Sequence, residues 1–395
     1  MVLGPSTPTN FEHIPHYELT MKYYLIAGER SGDLHAANLM HSLRKLDPQA
    51  SFRGMGGDYM EKEGLSSAVH YNKLAVMGFL EVIMGFRKVL RTFSLIKKDI
   101  LAFRPDALIL VDYGGFNMKV AKFAKAKGIA VHYYIPPKIW AWNQKRAFTL
   151  KKNVDHLYSI LPFEKKFFKK FDWDIHYVGN PLLDEIAKFK PHDFFHQKNA
   201  ISYNPIVALL PGSRKQEVEK MLDVMLEIAP QYQHCQFIIA GVRNLDPQIY
   251  YKAQTAGIKV IYDQTYDLLH HANAAIVTSG TATLETALFR VPQVVVYKTS
   301  AVSYHIAKHL IRVPFISLVN LIAEREVVKE LIQENYSVAK VKAELNAMLG
   351  YADRKREILD GYTEVREKLG EGRASDRTAQ LMVTFLSPAP STPAS

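Results

Sequence analysis

Cysteine is almost missing from this chain: Cys235 is the only one in 395 residues. An intrachain disulfide is therefore excluded, which fits a reducing compartment. Cys235 lies in the apolar run Cys235-Gln236-Phe237-Ile238-Ile239, where a buried thiol packing as a small hydrophobe outweighs a nucleophile. Long apolar runs are missing too. No uncharged stretch approaches the roughly 20 residues of a membrane-spanning helix. The first twenty residues hold Pro5, Pro8 and Pro15 without a hydrophobic core, so they do not read as a secretory signal. Acidic residues are in deficit, 39 against 50 Lys and Arg, for a net charge of +11. Such a balance suits phosphorylated substrates, an anionic membrane surface or nucleic acid. Zinc-finger spacing and RNA-recognition signatures are absent, so no nucleic-acid partner is expected. The fifteen histidines are scattered without metal-ligand spacing, and no metal site is expected. There is no Walker loop, no nucleophile elbow and no complete G-x-G-x-x-G fingerprint.

What is present is alternation. Short apolar runs predict strands at 22–27, 107–111, 130–134, 156–160, 206–210, 237–240, 259–261, 274–278 and 293–297. Amphipathic stretches between them predict helices such as 34–46, 118–127, 217–227 and 284–289. Alternation of this kind argues for doubly wound parallel sheets, whose ligands collect beyond the carboxyl ends of the strands. The pattern breaks at Gly179-Asn180-Pro181 and restarts at Ile206. The expected organisation is a tail at 1–20, a Rossmann-like domain at 21–183, a second at 184–350, a helical segment at 351–386 and a Pro/Ser-rich tail at 387–395. The two sheets are expected to face each other across a cleft. The C-terminal helices are expected to pack back on the first domain.

Two loops carry most of the chemistry. Ile206–Leu210 runs into Pro211-Gly212-Ser213-Arg214, and Ala274-Ala275-Ile276-Val277-Thr278 runs into Ser279-Gly280-Thr281-Ala282-Thr283-Leu284-Glu285, which opens a helix. Backbone N–H groups and hydroxyls at a helix start suit an anion. Arg214 adds a fixed positive charge, and Glu285 is placed to accept from a ribose. In the first half, Asp112 ends an apolar strand before Tyr113-Gly114-Gly115-Phe116-Asn117. It reads either as a proton acceptor at a site or as a helix cap. Ala27-Gly28-Glu29-Arg30-Ser31-Gly32-Asp33 reads either as a capped turn or as a polar lip offering Glu29 and Ser31 to substrate. The stretch 74–86, with Val76, Met77, Phe79, Leu80 and Ile83 followed by Arg87, Lys88 and Arg91, is a core helix or an apolar patch with a basic edge.

These segments, taken together with Leu74-Ala75-Val76-Met77-Gly78, Trp140-Ala141-Trp142, Leu161-Pro162-Phe163-Glu164 and Asn320-Leu321-Ile322-Ala323, resemble the lipid-A-disaccharide synthase family in order from Met21 to Leu386. The resemblance implies a GT-B fold and an inverting, metal-independent glycosyl transfer without a cofactor. Its implied substrates are UDP-2,3-diacylglucosamine and 2,3-diacylglucosamine 1-phosphate, joined as a β-1,6 disaccharide 1-phosphate with release of UDP. It also implies a peripheral position on the cytoplasmic face of the bacterial inner membrane, and dimers with exchanged C-terminal segments. Carried over residue by residue, it makes Asp112 the general base. Arg214 and Ser279, Gly280, Thr281 and Thr283 hold the diphosphate, Glu285 meets ribose, and Asn320 lies near the nucleotide sugar. Glu29 and Ser31 match polar positions of the first loop. Gly115 stands where the family often has a second acid. Another UDP-sugar GT-B enzyme, such as a UDP-N-acetylglucosamine epimerase, is the competing expectation.

Overall fold

A computed structural model describes residues 20–74, 81–301, 304–305 and 313–387. Residues 1–19 and 388–395 of the tails and Val76, Met77, Phe79 and Leu80 lie outside these residues; Ile83 lies within a described helix, but its side chain does not. Among the described residues, thirteen strands form two sheets built on parallel pairings. The first takes β1 (Lys22–Ala27), β2 (Ser51–Gly56), β3 (Ser66–His70), β4 (Ala107–Val111), β5 (Ala130–Tyr134), β6 (His156–Ser159) and β7 (His176–Tyr177) in the order β3-β2-β1-β4-β5-β6-β7. The second takes β8 (Ile206–Leu210), β9 (Gln236–Gly241), β10 (Lys259–Tyr262), β11 (Ala272–Thr278), β12 (Gln293–Tyr297) and β13 (Glu330–Ile332) in the order β10-β9-β8-β11-β12-β13. Strands covered by helices on both faces must be apolar throughout. Accordingly Ala107–Val111 and Ile206–Leu210 are buried at every position.

Strand order reverses between β1 and β4 in one sheet, and between β8 and β11 in the other. At such a switch point the two following loops leave in opposite directions and open a crevice at the strand ends. Each of the loops singled out from the sequence leaves one of these four strands.

The chain divides into two compact units, one comprising 1–134, 153–156 and 375–395, the other 135–152 and 157–374. The last helix, Ala374–Leu386, belongs to the first unit, where Ser42 donates to Asp376 at 2.7 Å and the His156 and Phe385 rings stack at 3.8 Å. The preceding helix, Ala352–Leu369, belongs to the second unit, where Tyr362 donates to the carbonyl of Val291 at 3.0 Å.

β2 carries two glycines, Gly54 and Gly56, the first for a physical reason. A side chain on Gly54 would sit 1.8 Å from the Leu25 carbonyl of β1. The segment is an inner strand, paired with β1 on one side and β3 on the other. Asp33, from the helix Arg30–Leu46, is fully buried and accepts from the N–H groups of Gly57 at 2.7 Å, Tyr59 at 3.0 Å and Met60 at 3.2 Å. It caps the short helix Asp58–Lys62 from a distance, satisfying orphan donors that Gly57 has no side chain to meet. Asp33→Ala strands three N–H groups, two of them buried, so we expect it to lower unfolding free energy by about 2–4 kcal/mol in urea titrations.

Candidate functional site

In the first unit the site starts with backbone strain. β4 ends at Val111, and the next two residues, Asp112 and Tyr113, both take left-handed φ values of 49° and 48° before the helix Gly114–Lys125 begins. For side chains other than glycine this costs about 1–2 kcal/mol each. The surroundings compensate. The Asp112 carbonyl accepts from the Tyr133 hydroxyl at 2.6 Å and from the Asn117 amide at 2.9 Å, and the Asp112 N–H donates to Tyr134 at 3.2 Å. At about 1 kcal/mol apiece, these bonds are of the right size to hold the turn. Asn117 is fully buried, and its amide also reaches the carbonyls of Ile26 at 3.4 Å and Val111 at 3.3 Å. One side chain thus ties together the ends of β1 and β4. Burial, with Asp112 nearby, pushes the Tyr133 phenol well above its ordinary value, so it stays protonated and remains a donor.

Glu29 and Ser31 are exposed at the end of β1, next to β4. The Tyr113 ring lies so close to Gly28 that an added Cβ would fall 2.3 Å from it. Glu29 helps raise the Tyr113 phenol pKa, after burial. Glu29 and Asp112 therefore share the switch-point edge of this sheet. The N-cap of the following helix is Tyr113, whose own side chain makes no capping bond. Gly115 is exposed, with nothing within 4 Å of where its Cβ would be.

In the second unit the loops after β8 and β11 leave neighbouring strands. After β8, Glu217 turns back. It accepts from the N–H groups of Ser213 at 3.1 Å and Arg214 at 3.2 Å, and pairs with the Arg214 guanidinium at 3.2 Å. Those two N–H groups are thus occupied by a carboxylate of the chain itself, and what the loop presents outward is the guanidinium of Arg214, 77% exposed.

After β11, the helix Thr281–Leu288 has no side-chain cap, so its first-turn N–H groups suit an anion. The hydroxyls serve differently from the sequence expectation. Ser279 donates to the Ile316 carbonyl at 2.8 Å and Thr283 to the Gly280 carbonyl at 2.8 Å. With each single proton spent internally, both fix the shape of the turn; Thr281, exposed at its tip, has no such bond among the described residues. Glu285 accepts from Tyr266 at 2.9 Å, and burial raises its carboxyl pKa despite that bond.

Asn320 differs from the expectation of contact with a sugar. It is fully buried, and its amide is saturated: Nδ2 donates to Val328 at 2.8 Å and Glu330 at 2.9 Å, while Oδ1 accepts from Val327 at 2.8 Å and Val328 at 3.0 Å. All four hydrogen-bonding positions of a carboxamide are used. Glu330 in turn accepts from the N–H groups of Ile316 and Ser317, both at 2.9 Å. A chain of contacts thus runs from Asn320 through Glu330 and Ile316 to Ser279. Sequence reasoning missed Asn117, Tyr133, Glu217 and Glu330 as organisers. Each acts on backbone groups distant in sequence or visible only in three dimensions.

Among the described residues, Asp58, Glu61 and His70 bring one ligand atom each to within 4.8 Å of one another, but both carboxylates are solvent-exposed. Cys235 is half-buried, and burial raises its thiol pKa, which disfavours a nucleophilic thiolate.

With this geometry in place, the comparisons decide the family. The profile of the lipid-A-disaccharide synthetase family matches residues 23–385. The chain belongs to that family. It is a glycosyltransferase of lipid A biosynthesis. A lipid-A-disaccharide synthase of Syntrophus aciditrophicus is 39% identical over 375 residues, covering 92% of this chain and 97% of the relative. One of Coxiella burnetii is 36% identical, covering 91% and 96%. Solved structures share the fold at much lower identity. A UDP-N-acetylglucosamine 2-epimerase from Listeria monocytogenes, so described provisionally, superposes with TM-score 0.65 at 14% identity, covering 93% of this chain and 97% of its own. The glycotransferase of kitacinnamycin gives TM-score 0.63 at 12% identity, covering 93% and 99%. Their likeness shows a GT-B-type pair of Rossmann-like sheets and no more.

The family motif Leu161-Pro162-Phe163-Glu164 has a structural duty. Glu164 is 1% exposed and accepts from the Trp140 indole at 3.0 Å and the Leu161 N–H at 3.3 Å. Burial pushes its carboxyl up to about 7, against the pull of those two donors. The folded state therefore binds this proton more tightly than the unfolded chain. The resulting stabilisation is complete below the ordinary glutamate range and is lost as pH rises to 7, at about 1.4 kcal/mol per pKa unit of separation. Thermal melts of Glu164→Gln and of the unaltered protein between pH 5 and 8 should show the variant gaining on its parent as pH rises. A constant difference would contradict a buried, protonating Glu164.

Proposed function

We propose that this chain joins UDP-2,3-diacylglucosamine to 2,3-diacylglucosamine 1-phosphate, giving the β-1,6 disaccharide 1-phosphate and UDP, with inversion at the anomeric carbon. The observation that carries the catalytic assignment is the pair of left-handed residues that displays Asp112 at the switch point of the first sheet. Asp112 takes the proton from the 6-hydroxyl of the acceptor as that oxygen attacks the anomeric carbon and the bond to UDP breaks. Glu29 and Ser31, at the end of the adjoining strand, contact the acceptor. In the second unit, Arg214, the main-chain donors of Gly280 and Thr281 and the Thr281 hydroxyl receive the diphosphate as its negative charge grows. Fixed donors of this kind lower the barrier without reorganising. Ser279 and Thr283 shape that turn, Glu285 accepts from the ribose, and Asn320 holds Glu330 in place rather than touching the sugar. Asp112→Asn should retain UDP affinity by calorimetry and lose roughly 10²–10⁴-fold in turnover. Near-normal turnover would reject Asp112 as the base.

Both substrates carry acyl chains, and we place the protein at an anionic membrane surface, on the cytoplasmic face of the inner membrane. No described helix is long and apolar enough to cross a membrane. The helix Glu81–Phe103 supports surface contact: Leu90, Leu95 and Leu101 are 45%, 46% and 48% exposed, on a face they share with Arg87, Arg91 and Lys98. Leucines that enter the interface beside bases that meet lipid phosphates give both parts of interfacial binding. Val76, Met77, Phe79, Leu80 and Ile83 are assigned to acyl and membrane contact from their apolar, base-flanked sequence alone. Leu90→Glu combined with Leu95→Glu should reduce sedimentation with vesicles containing anionic lipid while leaving thermal stability nearly unchanged. Undiminished sedimentation would remove this face from the proposal.

A further inference from the structure

We propose that Tyr133 and Asn117 are positioning residues for catalysis, acting through the main-chain oxygen of Asp112; this rests on the reading of Asp112 as the general base. Both side chains come from elements other than the strand they control. Tyr133 lies on β5, fully buried beside β4, and Asn117 lies in the first turn of the helix that follows the strained turn. Their donors converge on one carbonyl, at 2.6 Å and 2.9 Å, and fill both of its lone pairs. Neither bond is made to the carboxylate.

The consequence is conformational. The peptide that follows Asp112 joins two residues whose φ values of 49° and 48° are ones side chains other than glycine rarely adopt. Without donors on its oxygen, that peptide can rotate and let Asp112 relax toward extended backbone. Its side chain would then leave the direction in which the left-handed turn holds it. A displacement of about 1 Å at a proton-transferring group is enough to cost some 10²-fold in rate. The same loss leaves nucleotide affinity untouched, because the diphosphate contacts proposed above all belong to the second unit.

Tyr133 is suited to this task by its burial. Its raised pKa keeps the hydroxyl hydrogen in place across the working pH range, so the tether is not lost to titration. Asn117 binds the same oxygen while reaching the carbonyls of Ile26 and Val111, which fixes the turn to the ends of β1 and β4 together.

The test is a double-mutant cycle on the full-length protein. Tyr133→Phe removes one hydroxyl and preserves packing. We expect kcat to fall roughly 10- to 100-fold, with KM for both acylated substrates and UDP affinity within about 3-fold of the parent. In an Asp112→Asn background the same change should alter the residual turnover by less than about 2-fold, because a tether matters only while the base is present. Asn117→Asp, which replaces the donor with an acceptor, should repeat this pattern. Full kcat in Tyr133→Phe overturns the proposal. So does an equal loss in both backgrounds, or a loss of UDP affinity alongside kcat, since each indicates a general structural role. If Asp112→Asn itself turns over normally, the general-base reading fails first, a result distinct from any of these.

Discussion

One carbonyl oxygen, that of Asp112, is the point on which the catalytic account turns. The proposed base must be held where an acceptor hydroxyl would arrive, and the bonds that fix this turn are made to its backbone. β4 delivers the residue, β5 contributes the Tyr133 hydroxyl and the following helix contributes Asn117. Asn117 also ties in the end of β1. Three parallel strands and a helix must therefore be in register before the turn can take its left-handed shape. The energy of that strain is supplied by the fold, as expected where a functional group is displayed on a sharp strand-to-helix turn.

The second unit uses a different means to a similar end. Its organising group is a carboxylate, Glu330, which gathers the N–H groups of Ile316 and Ser317 and the amide of Asn320. Ile316 then receives the Ser279 hydroxyl. Glu217 does the same for the loop after β8, occupying the donors of Ser213 and Arg214. Internal carboxylates thus set the shape of loops whose outward-facing groups, the Arg214 guanidinium and the start of the helix Thr281–Leu288, are cationic or hydrogen-bond donating. That polarity suits a diphosphate, and the chain's net charge of +11 points the same way.

Much of the fold was legible because parallel strands covered on both faces must be apolar. Ala107–Val111, Ala130–Tyr134, Ile206–Leu210 and Gln293–Tyr297 stand where their hydrophobic runs place them. β2 was hidden because Gly54, which close approach to β1 requires, and Gly56 interrupt its apolar run. β3, β7 and β13 are short strands at or near sheet edges, without a continuous apolar run. Asp112 could be found from its position at a strand end, but the left-handed turn around it could not, since Asp and Tyr do not announce a positive φ as glycine does. Asn320 shows the opposite failing. Its motif drew attention, but a carboxamide has only four hydrogen-bonding positions, and the protein uses all of them.

The most direct measurement is the product itself. The purified protein is incubated with UDP-diacylglucosamine and diacylglucosamine 1-phosphate, and the products are identified by mass. The account predicts one acylated disaccharide 1-phosphate for each UDP released, and no turnover when the acceptor sugar is omitted. Conversion of the UDP-sugar in the absence of acceptor, or UDP release without disaccharide, would contradict it.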